Sequence, residues 1–132
     1  MTPDTRDGLQ FGLVLDTVFR DKPLHERMAR VADAGLRNIE LWLAEKLCPD
    51  PADLARQAER AGLRVNSLVM CSPDGSVGGG LTDPARRPLW LARLRDCLDY
   101  AGGAGIRAGI VCTGNVVAGA DPAATRRSVL EG

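Results

Sequence analysis

Apolar and polar positions along this chain alternate between strand-like and helix-like spacing. Phe11–Leu15 (F-G-L-V-L) is a continuous apolar run of strand length. Asp16–Lys22 reads as a loop, and Pro23 opens a helix with Leu24, Met28, Val31 and Ala32 on one face. Asn38–Leu43 is the second strand, with Ile39, Leu41 and Leu43 on one face and Glu40 and Trp42 on the other. Ala44–Asp50 reads as a loop. Pro51–Ala61 is a second helix with Leu54, Ala58 and Ala61 inward, and Arg64–Met70 is the third strand. A glycine-rich loop spans Cys71–Asp83. The third helix starts near Pro84 and lines one face with Trp90, Leu94, Cys97, Leu98 and Ala101. Pro88 should kink its start or move the first full turn later. Ala108–Cys112 is the fourth strand, Thr113–Asp121 a loop, and a fourth helix runs from Pro122 into the end of the chain.

The joints between these elements repeat. Ala34-Gly35-Leu36-Arg37 recurs as Ala61-Gly62-Leu63-Arg64 and as Ala104-Gly105-Ile106-Arg107, each ahead of an apolar run. Glycine suits the left-handed position just past a helix, where a Cβ would clash. The following helices start alike, at Asp50-Pro51, Asp83-Pro84 and Asp121-Pro122. Asp caps free N–H groups, and Pro fits the first turn, where its missing N–H costs nothing. This punctuation predicts an α/β fold of four consecutive βα units with parallel strands in the order 1-2-3-4. A complete (βα)₈ TIM barrel needs about 250 residues, so four units amount to half of one. Residues 1–10 read as a polar leader and 11–132 as one domain.

Composition narrows the function. The 132 residues carry 17 basic and 17 acidic side chains with no long run of one sign, so neither nucleic-acid nor membrane-surface binding has electrostatic support. No apolar run reaches membrane-spanning length. Cys48, Cys71, Cys97 and Cys112 form no C-x-x-C pair, which argues against structural zinc and points to free thiols in a reducing cytoplasm. Cys112, at a strand end, is also placed to line a pocket. No P-loop and no G-x-S-x-G elbow is present. His25, the one histidine, lies on the first helix and is expected to face solvent. Arg86-Arg87 and Arg126-Arg127 read as solvated helix faces.

Five segments together resemble one family: Phe11–Phe19 (F-G-L-V-L-D-T-V-F), Ala34–Leu41 (A-G-L-R-N-I-E-L), Gly78–Ala85 (G-G-G-L-T-D-P-A), Tyr100–Ile106 (Y-A-G-G-A-G-I) and Val111–Asn115 (V-C-T-G-N). In this order they are similar to the N-terminal half of a hydroxypyruvate isomerase-like barrel, among the xylose isomerase-like sugar isomerases and epimerases. Val14 stands where that family often has Asn, and Gly78-Gly79-Gly80 where it has Gly-Glu-Arg-Gly. The resemblance implies metal-assisted proton transfer next to a carbonyl, on a small carbohydrate-like or hydroxy-keto acid substrate. It implies Mg or Mn in the full-length family. The family's metal ligands and acid–base glutamates come from strands five to eight, so this chain is expected to hold no catalytic residue and no metal by itself.

One wall of a site is within reach, because barrel sites gather at the C-terminal ends of the strands. Four residues are candidates for substrate contact: Asp16, Glu40, Trp42 and Asn115. Each has an alternative reading: Asp16 as a turn former, Glu40 as an interior ion-pair partner, Trp42 as packing, Asn115 as a turn residue. Ser76–Gly80 reads as a mobile lid or as flexible linkage. Two rival readings of the whole remain open. One is a non-catalytic small-ligand-binding or scaffold module that forms a homodimer through open sheet edges into a barrel-like assembly. The other is a small doubly wound domain with helices on both faces.

Overall fold

All three Ala-Gly-aliphatic-Arg joints form the same helix stop. In the computed structural model, Gly35, Gly62 and Gly105 have φ of +87°, +67° and +70°. At each, the next N–H reaches back five residues: Leu36 to Val31 O (3.3 Å), Leu63 to Ala58 O (2.9 Å) and Ile106 to Ala101 O (2.8 Å). That bond is the mark of a Schellman stop, and it turns the aliphatic residue back under its own helix. Leu63 and Ile106 are buried accordingly. All three Asp-Pro starts also hold. Asp50 accepts from Ala52 N–H, Asp83 from Ala85 N–H, and Asp121 from Ala123 and Ala124 N–H.

The structure describes residues 10–132; the polar leader read at 1–10 lies, except for Gln10, outside the described residues. The elements are β1 (Gly12–Val14), α1 (Leu24–Asp33), β2 (Asn38–Trp42), α2 (Ala44–Leu47), α3 (Pro51–Arg60), β3 (Arg64–Val69), α4 (Arg87–Gly103), β4 (Gly109–Ile110) and α5 (Pro122–Leu130), with 3₁₀ turns at Leu15–Thr17 and Pro84–Arg86. The four strands form one parallel sheet in the order β1-β2-β3-β4. This is the sheet of half a TIM barrel, not of a doubly wound domain.

The β2 alternation decides which face is covered. Ile39 and Leu41 are fully buried against Met28 and Val31 of α1, Leu54 and Ala58 of α3, and Leu68 of β3. Burying each large aliphatic side chain stabilises the fold by about 1.5–3 kcal/mol. Trp42, on the other face, is 43% exposed. A bulge between Ile39 and Glu40 shifts the register, so Glu40 stands opposite Ser67 and Trp42 opposite Val69. A second cluster joins Cys71, Leu81 and Trp90. There the Trp90 indole donates to Cys112 O and the Cys112 N–H to the Cys71 sulfur, so Cys112 belongs to packing.

Several expectations need correction. Leu43 does not continue the buried face of β2. Its φ is +49°, and the chain turns there into α2, an element expected as loop. Strand four shrinks to Gly109–Ile110. The Pro88 expectation holds: the regular helix begins later, leaving Pro84–Arg86 as a 3₁₀ turn. Leu98 is 53% exposed rather than inward. Arg86 and Arg87 are not simply solvated: Arg86 donates to Gly75 O, and Arg87 to Ser128 O and Oγ. The glycine loop packs closely on its neighbours. A Cβ on Gly79 would stand 2.9 Å from Arg86 O, and one on Gly80 2.9 Å from Thr113 O.

Candidate functional site at the ends of β1 and β2

Beyond Val14 the chain leaves the sheet through the 3₁₀ turn at Leu15–Thr17, which carries Asp16. Thr17 Oγ1 bonds back to Val14 O at 2.7 Å. Arg27 of α1 is buried, donating to Leu15 O at 2.7 Å and Val18 O at 3.2 Å. Leu15 O also accepts the Val18 N–H at 3.4 Å, and the added charged donor holds the turn in place. Sequence reading passed over Arg27, although it sits between Leu24 and Val31 at helical spacing. A lone Arg on an apolar stripe was the signal.

Asp16 and Trp42 meet. One Asp16 carboxylate oxygen accepts the Trp42 backbone N–H at 2.7 Å. The Trp42 indole N–H points to Glu40 at 3.4 Å, and Ser67 Oγ donates to the other Glu40 oxygen at 2.8 Å. Glu40 is therefore held by hydrogen bonds across β2 and β3, and among the described residues it forms no ion pair. Leu43 N–H still bonds Val69 O at 3.1 Å, extending the parallel ladder by one residue before the turn. The left-handed conformation of a branched residue costs about 1–2 kcal/mol. Phe19 shares it with φ +48°, and the Arg30 guanidinium lies 5.5 Å from its ring centre.

These loops enclose an open hollow of about 600 Å³, lined by Asp16, Thr17, Arg20, Trp42, Leu43 and Lys46, with Leu47 beside them. Asp16 and Trp42 line it directly, and Glu40 braces the Trp42 ring from the side. Asn115 is elsewhere. It follows β4, at the opposite edge of the sheet, where its backbone carbonyl accepts from Thr82 Oγ1 at 2.7 Å. Sequence reading missed Arg20 and Lys46, which sit in segments taken as plain loop.

Beside the hollow, Arg93 of α4 pairs with Glu45 of α2 at 2.7 Å and donates to Met70 O at 2.7 Å. Tyr100 donates to Cys48 O. Burial pushes the Tyr100 phenol and the Cys48 and Cys97 thiols upward, and nearby carboxylates reinforce this for Tyr100 and Cys48. His25 is exposed. Among the described residues, no group of three His, Cys, Asp or Glu could hold a metal ion. The two carboxylates nearest the hollow, Asp16 and Glu40, accept hydrogen bonds from the Trp42 N–H groups and from Ser67.

No family model matches the chain. It is 31% identical over 130 residues to a Streptomyces coelicolor protein named "Putative hydroxypyruvate isomerase", covering 92% of this chain and 47% of the relative. The chain thus spans about half the length of the curated relative it matches. A crystal structure titled AP endonuclease, family 2, from Brucella melitensis superposes with a TM-score of 0.77 at 22% identity, over 92% of this chain and 47% of that one. A xylose isomerase-like TIM barrel/4-hydroxyphenylpyruvate dioxygenase fusion protein gives 0.70 at 17% identity, over 95% of this chain and 19% of the fusion. The chain has the fold of half a TIM barrel and resembles the sequence named hydroxypyruvate isomerase over that half.

Proposed function

We propose that this half-barrel supplies the β1–β2 wall of a sugar isomerase/epimerase-type site, which takes a small carbohydrate-like or hydroxy-keto acid substrate. The observation that carries this reading is the hollow at the C-terminal ends of β1 and β2, where Asp16 and Trp42 are locked together. Active sites of barrel enzymes gather at that end of the sheet. In this reading Trp42 offers its ring to the carbon skeleton, Thr17 and Asp16 face substrate oxygens, and Glu40 sets the indole. Proton transfer next to a carbonyl belongs to acid–base groups outside these four units. The chain's own part is binding and orientation. Asn115, on the far edge, would contact substrate only across a closed barrel. A reducing cytoplasm suits the four cysteines, all free thiols. No helix among the described residues is long and apolar enough to cross a membrane.

Tryptophan fluorescence tests the reading. Trp42 is 43% exposed and Trp90 only 7%, so a ligand in the hollow should change mainly the Trp42 emission. Hydroxypyruvate is expected to give a saturable change in the millimolar range, absent from Trp42→Phe. A linear, unsaturated response in both proteins would overturn the reading.

A second reading is favoured by the open sheet. Among the described residues the outer edges of β1 and β4 carry no partner strand, and Trp42 and Ile110 are each 43% exposed. Unpaired edges and an uncovered apolar face favour association. Two copies joined β4 to β1 would form an eight-stranded, ligand-holding dimer without turnover. Light scattering behind gel filtration is expected to give a mass above the monomer's; a clean monomer would sink this reading.

A further inference from the structure

We propose that Arg20 and Lys46 form an anion clamp at the rim of the hollow, gripping the carboxylate or phosphate of a small ligand whose body lies against Trp42. The inference rests on the reading of this hollow as the ligand site, and it adds the charge of the ligand and the residues that recognise it.

Arg20, from the loop ahead of α1, and Lys46, from α2, line the same hollow. Neither forms an ion pair among the described residues. The carboxylates around them are engaged elsewhere. Asp21 pairs with Lys22 at 3.3 Å, and Glu45, on the same short helix as Lys46, pairs with Arg93 at 2.7 Å. Asp16, the one acidic residue lining the hollow, has an oxygen committed to the Trp42 N–H at 2.7 Å. The lining therefore carries two cations against one carboxylate, and that carboxylate is already hydrogen-bonded. A guanidinium fork and a point-like ammonium together suit a planar carboxylate or a phosphate.

Backbone strain marks the same two segments. Phe19 and Leu43 are the only non-glycine residues with positive φ among the described residues. Phe19 directly precedes Arg20. Leu43 is the left-handed corner between Trp42 and the helix that carries Lys46. Strain of this kind persists only where surrounding contacts over-determine it, and it collects at ligand clamps. Those contacts are present. Arg27 ties down Leu15 O and Val18 O, Arg30 lies over the Phe19 ring, and Leu43 N–H bonds Val69 O. Both cations thus project from backbone that is set before a ligand arrives.

The test is calorimetric titration of the full chain with glycolaldehyde (neutral), hydroxypyruvate (carboxylate) and glycolaldehyde phosphate. The native chain is expected to bind at least one anionic probe about tenfold more tightly than glycolaldehyde, with the margin shrinking as salt rises. The anion that binds more tightly identifies which group the clamp was built for. In R20Q/K46Q the margin should vanish while glycolaldehyde binding stays. Both residues are exposed, so the variant should keep the native circular dichroism spectrum and melting temperature. If R20Q/K46Q binds the anions as tightly as the native chain, the clamp is overturned while the hollow stands as a ligand site. If no probe binds saturably, the hollow is not a ligand site and both readings fall.

Discussion

The Asp16 carboxylate accepts the Trp42 backbone N–H at 2.7 Å, tying the turn after β1 to the last residue of β2. This bond holds the mouth of the hollow in one shape. Asp16→Ala should cost about 1–2 kcal/mol by leaving the N–H without its partner. Asp16→Asn keeps an accepting oxygen and should cost less than half of that. Urea midpoints measure both; equal losses would place the stabilisation in the charge rather than in the hydrogen bond.

Neighbouring residues of β2 should behave oppositely. Leu41 is fully buried and Trp42 is 43% exposed. Leu41→Ala should cost about 3 kcal/mol through lost burial and the cavity left behind. Trp42→Ala should cost less than about 1 kcal/mol yet abolish ligand-dependent changes. Denaturation and ligand titration of the two variants separate the core face from the site face.

Arg93 is the brace behind the site. Its guanidinium serves both Glu45 and Met70 O, and the pair is only 17% and 29% exposed. Arg93→Met strands a carboxylate and a carbonyl, and should cost about 2–3 kcal/mol, somewhat below a fully buried pair because water still reaches it. A double-mutant cycle with Glu45→Gln should show coupling of about 1 kcal/mol. Zero coupling would mean that the Met70 carbonyl alone matters.

Two glycines should respond differently to alanine. At Gly62 a Cβ meets nothing within 4 Å, so only the left-handed φ of +67° opposes it, at about 1 kcal/mol. At Gly80 a Cβ would lie 2.9 Å from Thr113 O and 3.2 Å from Gly114 Cα, both backbone. Gly80→Ala should therefore destabilise more, by displacing the glycine loop from the β4 loop. Thermal melts of the two variants give the ranking.

Tyr100 is the only tyrosine, which makes its ionisation legible by ultraviolet absorbance. Burial raises its phenol above the ordinary value of 10.0, with negative groups at Cys48 and Glu45 adding to the rise. Folding thus favours the neutral phenol. Its contribution is complete below pH 10 and is lost as pH rises toward the folded value. Tyrosinate should appear only together with alkaline unfolding; an earlier, reversible titration would contradict the burial.

Local chemistry made much of the fold legible. A glycine past each helix and an Asp-Pro ahead of the next act within a few residues, so three stops and three starts could be placed without knowing any neighbour. The strict alternation in β2 likewise separated Ile39 and Leu41 from Glu40 and Trp42, because a strand's side chains switch faces whatever it pairs with. The same chemistry placed Asp16 and Trp42 at the ends of successive strands.

Other features were illegible because distant segments decide them. Nothing around Leu43 announces a left-handed corner; it exists because Leu43 N–H is held by Val69 O while α2 must fold back over Arg93. Strand four was overestimated because apolar residues alone do not make a ladder, and only Gly109 and Ile110 pair in register with β3. Arg20 and Lys46 looked like ordinary loop charges until two separate turns set them around one hollow. By itself, the sequence determined the order of βα units and the two faces of β2, since those depend on backbone geometry a few residues wide. The tertiary structure decided which side chains share the hollow, since that depends on contacts between residues 26 or more positions apart, such as Asp16 with Trp42.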